Sequence, residues 1–305
     1  MNDRGDNIIS FGGVKWLMLF VFYLQFLVPE LIIANWSFVS ATEPPKFFLI
    51  AMIQLFAVAL PCVVYLFLNS AKPNDVFKLN KISKTATFVF VLIGISAQSI
   101  ASLLNVPVLM LINNKLGIIP TVSVGTPDSP FGLAIGIFVI ALMPAIFEEC
   151  LMRGIVLTAT EHIGYRASLF IGGLFFALMH NRIEGFVGIF FLGVVLCYVV
   201  WMTGSIFAGM IVHFSFNTFG MVLDYIINSQ GSAHPWLGGV IFQSLIIVIS
   251  IVIFSAVIGT IKSKKVKRYK TKSLLAELFF SLFNLPMLLV IAGYILFEYT
   301  RLISI

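Results

Sequence analysis

The sequence predicts an all-α fold, a polytopic membrane helical bundle of about eight or nine transmembrane helices. Three observations carry that prediction. Of 305 residues, 60% are hydrophobic and only 10% charged, whereas soluble domains carry roughly a quarter charged residues. Mean hydropathy is +1.05. Apolar stretches of about 20 residues recur along the chain, the length that crosses a hydrocarbon core roughly 30 Å thick.

The first element is expected at 14–34. The polar opening MNDRGDNIISFGG leads into VKWLMLFVFYLQFLVPELIIA, which is too long for the core of a signal peptide and lacks a small-residue cleavage site. It is therefore read as a retained span. Further spans are expected at 47–69, 86–112, 131–160, 166–180, 185–202, 205–228, 237–261 and 278–298, each an apolar run between polar breaks. The breaks TEPP, NVPV, GTPDSP and SAHPW carry the Pro, Asn and Gly that interrupt helices. Neither an internal repeat nor a low-complexity tail is visible, so residues 1–305 are read as one membrane domain. Trp16, Trp36, Trp201 and Trp236 fall near span ends, where indoles favour the interface.

The net charge of +6 is concentrated in KSKKVKRYKTK (262–272) and KPNDVFKLNKISK (72–84). Between membrane spans such runs mark cytoplasmic loops. Anionic lipid headgroups are their natural contact, and nucleic acid is not implied. With nine spans both loops fall on one side, together with a cytoplasmic N-terminus. Cys62, Cys150 and Cys197 lie apart in apolar segments, which argues against disulfides and against a cysteine metal cluster.

Polar residues inside spans cost about 2.5–3.5 kcal/mol for a central acid, so each needs a reason. They gather in one region: Glu148, Glu149 and Arg153 in PAIFEECLMRGI, His180 in LFFALMHN, and His213 with Asn217 in AGMIVHFSFNTFG. Glu149 and Arg153 are four residues apart and can pair on one helix face. Glu148 sits about 100° around the helix and is left to face a cavity. Glu148 lies 16 residues before Gly164 and His180 lies 16 after it, so a hairpin folded at that glycine brings both to similar depth. Gly172 and Gly173 on the returning helix would let the two arms approach closely. Pro144 is expected to kink the helix and free a carbonyl near the site.

A carboxylate, two imidazoles and an amide gathered within a membrane fit hydrolysis. A poorly solvated glutamate can take a proton from water and return it. The histidines can ligate a divalent metal such as zinc, with Glu148 or Glu149 as a third ligand, or position the water directly. An asparagine can donate to a developing oxyanion. Buried acids also serve proton-coupled transporters, but the internal repeat and paired broken helices expected of those are missing from the sequence.

EECLMR (148–153), FALMH (176–180) and HFSFN (213–217) together resemble the CPBP family of intramembrane proteases. That family includes the CAAX prenyl endopeptidases and bacterial enzymes of bacteriocin processing and self-immunity. Its pattern is Glu-Glu-x-x-x-Arg, Phe-x-x-x-His and His-x-x-x-Asn/Asp on separate helices, and the resemblance covers about residues 131 to 228. It implies an endopeptidase of the cell membrane acting on a membrane-associated protein or peptide. Glu148 would activate water with Glu149 beside it. His180 and His213 would position the water or a metal, and Asn217 would steady the oxyanion. Arg153 and Phe176 would support the site structurally. A silent immunity or scaffold protein of the same fold is the alternative, and zinc against a metal-free glutamate mechanism is left open by these residues.

Overall fold

The computed structural model describes residues 9–36, 45–117, 127, 129–230, 240–261 and 283–303. The lysine-rich loop 262–272, Trp236, and most of the breaks TEPP, GTPDSP and SAHPW lie outside the described residues. Among those described, nine principal helices follow in order: α1 Phe11–Trp36, α2 Lys46–Leu68, α3 Lys84–Leu116, α4 Pro130–Ile163, α5 Tyr165–Met179, α6 Phe186–Thr203, α7 Ile206–Gln230, α8 Val240–Ile258 and α9 Leu285–Ile303. Eight are long and apolar enough to cross a membrane. The protein is an all-α, multi-pass helical bundle.

The expected span at 166–180 is the exception. Its helix, α5, has 15 residues, a rise of about 22 Å, so it stops short of the far interface. It ends at His180, where the chain reverses toward α6. A second difference concerns NVPV, expected as a break. Asn105, Pro107 and their neighbours lie inside α3. A proline in a membrane helix is tolerated where neighbouring groups re-satisfy the backbone it frees.

The turns after α2, α4 and α6 meet on one face, as the expected topology requires. Leu79 pairs with Ser205 in an isolated antiparallel bridge. Asn80 Nδ2 donates to the Gly204 carbonyl, and Ser205 Oγ donates to the Asn80 carbonyl. Lys78 pairs with Glu161 at the end of α4, and Thr158 Oγ1 donates to the Val76 carbonyl at 3.1 Å. Thr260, just beyond α8, lines a surface cavity with Lys81 and Thr203. These contacts bring the 72–84 segment and the ends of α4, α6 and α8 to a common side.

α6 packs along α5 and α7 along α3. Gly94 on α3 lets α7 approach: a Cβ there would collide with the Val212 carbonyl oxygen and lie 2.7 Å from Ser215 Cβ. This contact fixes α7 with His213 turned inward. Gly172 and Gly173 serve a different neighbour from the one expected. Their open faces meet Cys197 and Val194 of α6, so they close the α5–α6 packing rather than the hairpin with α4. Phe67, Phe131 and Ile241 are exposed, as lipid-facing side chains are.

Candidate active site

Two local features of α4 set its acids in place. Wide π-helical turns at Ile137–Leu142 and Cys150–Val156 flank the stretch Met143–Glu149; such turns shift the register of the side chains and recur at functional sites. Between them, Pro144 has no N–H to offer the carbonyl of Ile140, four residues earlier. The Asn217 amide donates to that same carbonyl at 2.9 Å. Pro144 thus leaves the Ile140 carbonyl to a side chain, as one half of the expectation had it, and Asn217 spends one of its two N–H groups there, joining α7 to α4 rather than facing a substrate.

The two glutamates have separate surroundings. Glu149 and Arg153 are both 0% exposed, with Nη1 2.9 Å from Oε1. Nη2 of Arg153 donates to the Gly193 carbonyl of α6 at 3.1 Å, and the guanidinium stacks 4.5 Å from the Phe176 ring centre. The same Glu149 oxygen lies 3.0 Å from His213 Nδ1. A carboxylate accepts, so Nδ1 carries the proton and Nε2 is left as the other ring nitrogen. The i,i+4 pair expected from spacing is present, and His213 completes it.

Glu148 is 7% exposed. Its Oε1 accepts from Gln54 Nε2 of α2 at 2.7 Å. Its Oε2 is buried without a hydrogen-bond partner among the described residues and faces His180 Nε2 at 3.9 Å. His180 Nδ1 donates to the Phe176 carbonyl at 2.7 Å, which fixes Nε2 as the basic nitrogen of the neutral ring. The hairpin that joins them turns at Gly164, whose φ of +101° is a conformation glycine adopts freely. Phe176 sits edge-on to both histidines, 4.6 Å from His180 and 5.6 Å from His213 between ring centres.

The constellation is therefore two dyads: Glu148 with His180 and Glu149 with His213, with Phe176 between the two imidazoles. Gln54 is the residue that reading the motifs missed. The signal was there, a lone amide in the apolar run AMIQLFAVAL, where a polar side chain is costly unless it finds a partner. Among the described residues, no three His, Cys, Asp or Glu side chains gather in a set that could hold a metal ion. The Nδ1 atoms of both histidines are engaged, which leaves Nε2 of each ring as the nitrogen available for a water or a ligand. As placed, these residues do not compose a three-ligand zinc centre. The three cysteines are free.

A cleft of about 650 Å³ opens between α2 and α4, running from Pro73 and Phe77 to Cys150, with Val63, Phe67 and Phe147 in its walls. Pro73 and Phe77 of the 72–84 segment line one part of it, and its lining is almost wholly apolar.

Residues 130–219 match the family described as Rce1-like, type II CAAX prenyl endopeptidase Rce1-like. The matched segment holds Glu148, Glu149, Arg153, Phe176, His180, His213 and Asn217, and the match supports the CPBP/CAAX protease family read from the three motifs. No curated protein and no solved structure matches the chain.

Proposed function

We propose that this chain, which carries the CAAX-protease family segment at residues 130–219, is an intramembrane endopeptidase of the cell membrane that uses Glu148 to activate water without a metal. The observation that carries the reading is the pair of acceptors, Glu148 Oε2 and His180 Nε2, 3.9 Å apart. A water at about 2.8 Å from each would subtend about 90° at its oxygen, which suits a donor with two O–H groups. It would be held with a lone pair free to attack.

In the first step the water oxygen bonds to the scissile carbonyl carbon while Glu148 takes its proton. The carbonyl π electrons move to oxygen. In the second, the oxyanion re-forms the carbonyl, the C–N bond breaks, and Glu148 returns the proton to the leaving nitrogen. The products are a carboxyl and an amine. Gln54 holds the other Glu148 oxygen throughout. Glu149 and Arg153 fix His213, and we assign its Nε2 and the remaining Asn217 N–H to the substrate peptide group.

The substrate class is a membrane-associated protein or peptide with an apolar or lipid-modified portion. The cleft between α2 and α4 supports this: it is apolar and is walled by the same two helices that carry Gln54 and Glu148. We read the whole chain as one membrane domain with its catalytic core at 131–228. The test is cleavage by the purified, reconstituted protein of membrane-tethered peptides with and without a prenylated carboxyl-terminal cysteine. Wild type should cleave, while Glu148→Ala and His180→Ala should not, at normal expression and insertion. Equal cleavage by wild type and Glu148→Ala would overturn the proposal.

A further inference from the structure

A second buried charge cluster lies at the far end of α5, outside the dyads. The chain reverses directly after His180 through Asn181, whose φ is +48°, and enters a short 3₁₀ turn at Ile183–Gly185 before α6. Asn181 and Glu184 in this reversal are buried. Irregular backbone buried in this way persists only where protein groups satisfy it.

Local bonds satisfy part of it, Asn181 N–H to the Leu178 carbonyl and Gly185 N–H to the Arg182 carbonyl, and α9 supplies the partner of Ile183. Glu298 Oε2 accepts the Ile183 backbone N–H at 3.2 Å and also accepts from Arg301 Nη2 at 2.7 Å. Arg301 grips Glu184 with both terminal nitrogens, Nη1 on Oε1 at 3.2 Å and Nη2 on Oε2. Arg182 adds a longer contact to Glu184 at 3.4 Å. From α3, Asn105 Oδ1 accepts the Gly188 N–H at 2.7 Å. Glu184 and Glu298 are both buried. A bidentate arginine between two buried carboxylates, one of which caps backbone three residues from His180, is a stiff and directional joint.

We infer that α9 positions His180: the Arg301–Glu184–Glu298 clamp holds the 181–185 reversal and thereby sets the imidazole against Glu148. Arg301 and Glu298 are positioning residues that touch no reacting atom and lie beyond the family-matched segment. The inference deepens the proposed endopeptidase reading and rests on it only for its kinetic consequence.

The experiment uses the full-length protein, labelled with ¹⁵N at its four histidines, in lipid nanodiscs. Comparison with His180→Ala assigns the His180 ring signals. Arg301→Met and Glu298→Gln should shift or broaden the His180 ring resonances while leaving those of His162 in place. Arg301→Lys, which keeps the charge, should restore them in part. In the cleavage assay, Arg301→Met should lower kcat at least tenfold with KM within about twofold, and Arg301→Lys should recover part of the loss. If Arg301→Met misfolds, Glu298→Gln decides alone, since it preserves shape and the Arg301–Glu184 contact. Unmoved His180 signals in a folded variant would overturn the inference. Displaced signals in a wild-type background without peptidase activity would leave it standing and remove the endopeptidase reading instead.

Discussion

Replacing Arg153 with methionine removes one side of a pair that has no access to solvent. Arg153 and Glu149 are both 0% exposed, so the variant leaves Glu149 buried with only His213 beside it. Breaking a buried pair from one side costs about 3–5 kcal/mol, mostly from the stranded charge. The lost stacking on Phe176 adds to this, on the order of 1–2 kcal/mol for a desolvated cation over a ring. Methionine fills much of the volume, so cavity formation is a minor contribution. The expected result is a fall of about 4 kcal/mol in unfolding free energy, read from denaturing-detergent titration of the reconstituted protein, with a matching loss of protein level in cells. Glu149→Gln/Arg153→Met removes the stranded charge as well. A neutral pair in a buried site is close to neutral for stability, so the double variant should regain at least half the loss while remaining inactive, since His213 has lost its carboxylate. An Arg153→Met protein within about 1 kcal/mol of wild type, below the buried-pair range, would refute the reasoning. So would a double variant no more stable than the single one.

Gln54→Leu removes the hydrogen bond to Glu148 Oε1. A bond to a charged group is worth about 1.5–3 kcal/mol, so the unfolding free energy should fall by about that much, with some loss of kcat because the carboxylate is no longer held in one orientation; unchanged stability and kinetics would mean that Gln54 only fills space. Prolonged treatment with a strong chelator should leave peptidase activity intact, because the proposed hydrolysis needs only Glu148, His180 and water, and no three candidate ligands gather among the described residues; chelator inactivation reversed by added zinc would show that the site rearranges around a metal and would end the metal-free reading.

What the sequence determined by itself is what depends on nearest neighbours along the chain. Runs of apolar residues predict nine spans, because the bilayer demands that length whatever the packing, and eight of the helices formed are long and apolar enough to cross. The Glu149–Arg153 pair follows from helical spacing, and the freed Ile140 carbonyl follows from proline chemistry. The turn at Gly164 was also legible, since only that polar break separates two apolar arms. Tertiary structure alone decided which histidine serves which glutamate. The motifs sit on separate helices, and relative rotation about those helix axes is fixed by contacts such as Gly94 against the Val212 carbonyl, which no spacing encodes. The same holds for Gln54, nearly a hundred residues from Glu148 in sequence, and for Arg301 and Glu298, more than a hundred from the turn they cap. Each is a polar group whose partner lies on another helix. The membrane makes such a group costly when unpaired, so the sequence shows that a partner must exist, and only the packed bundle shows which one it is.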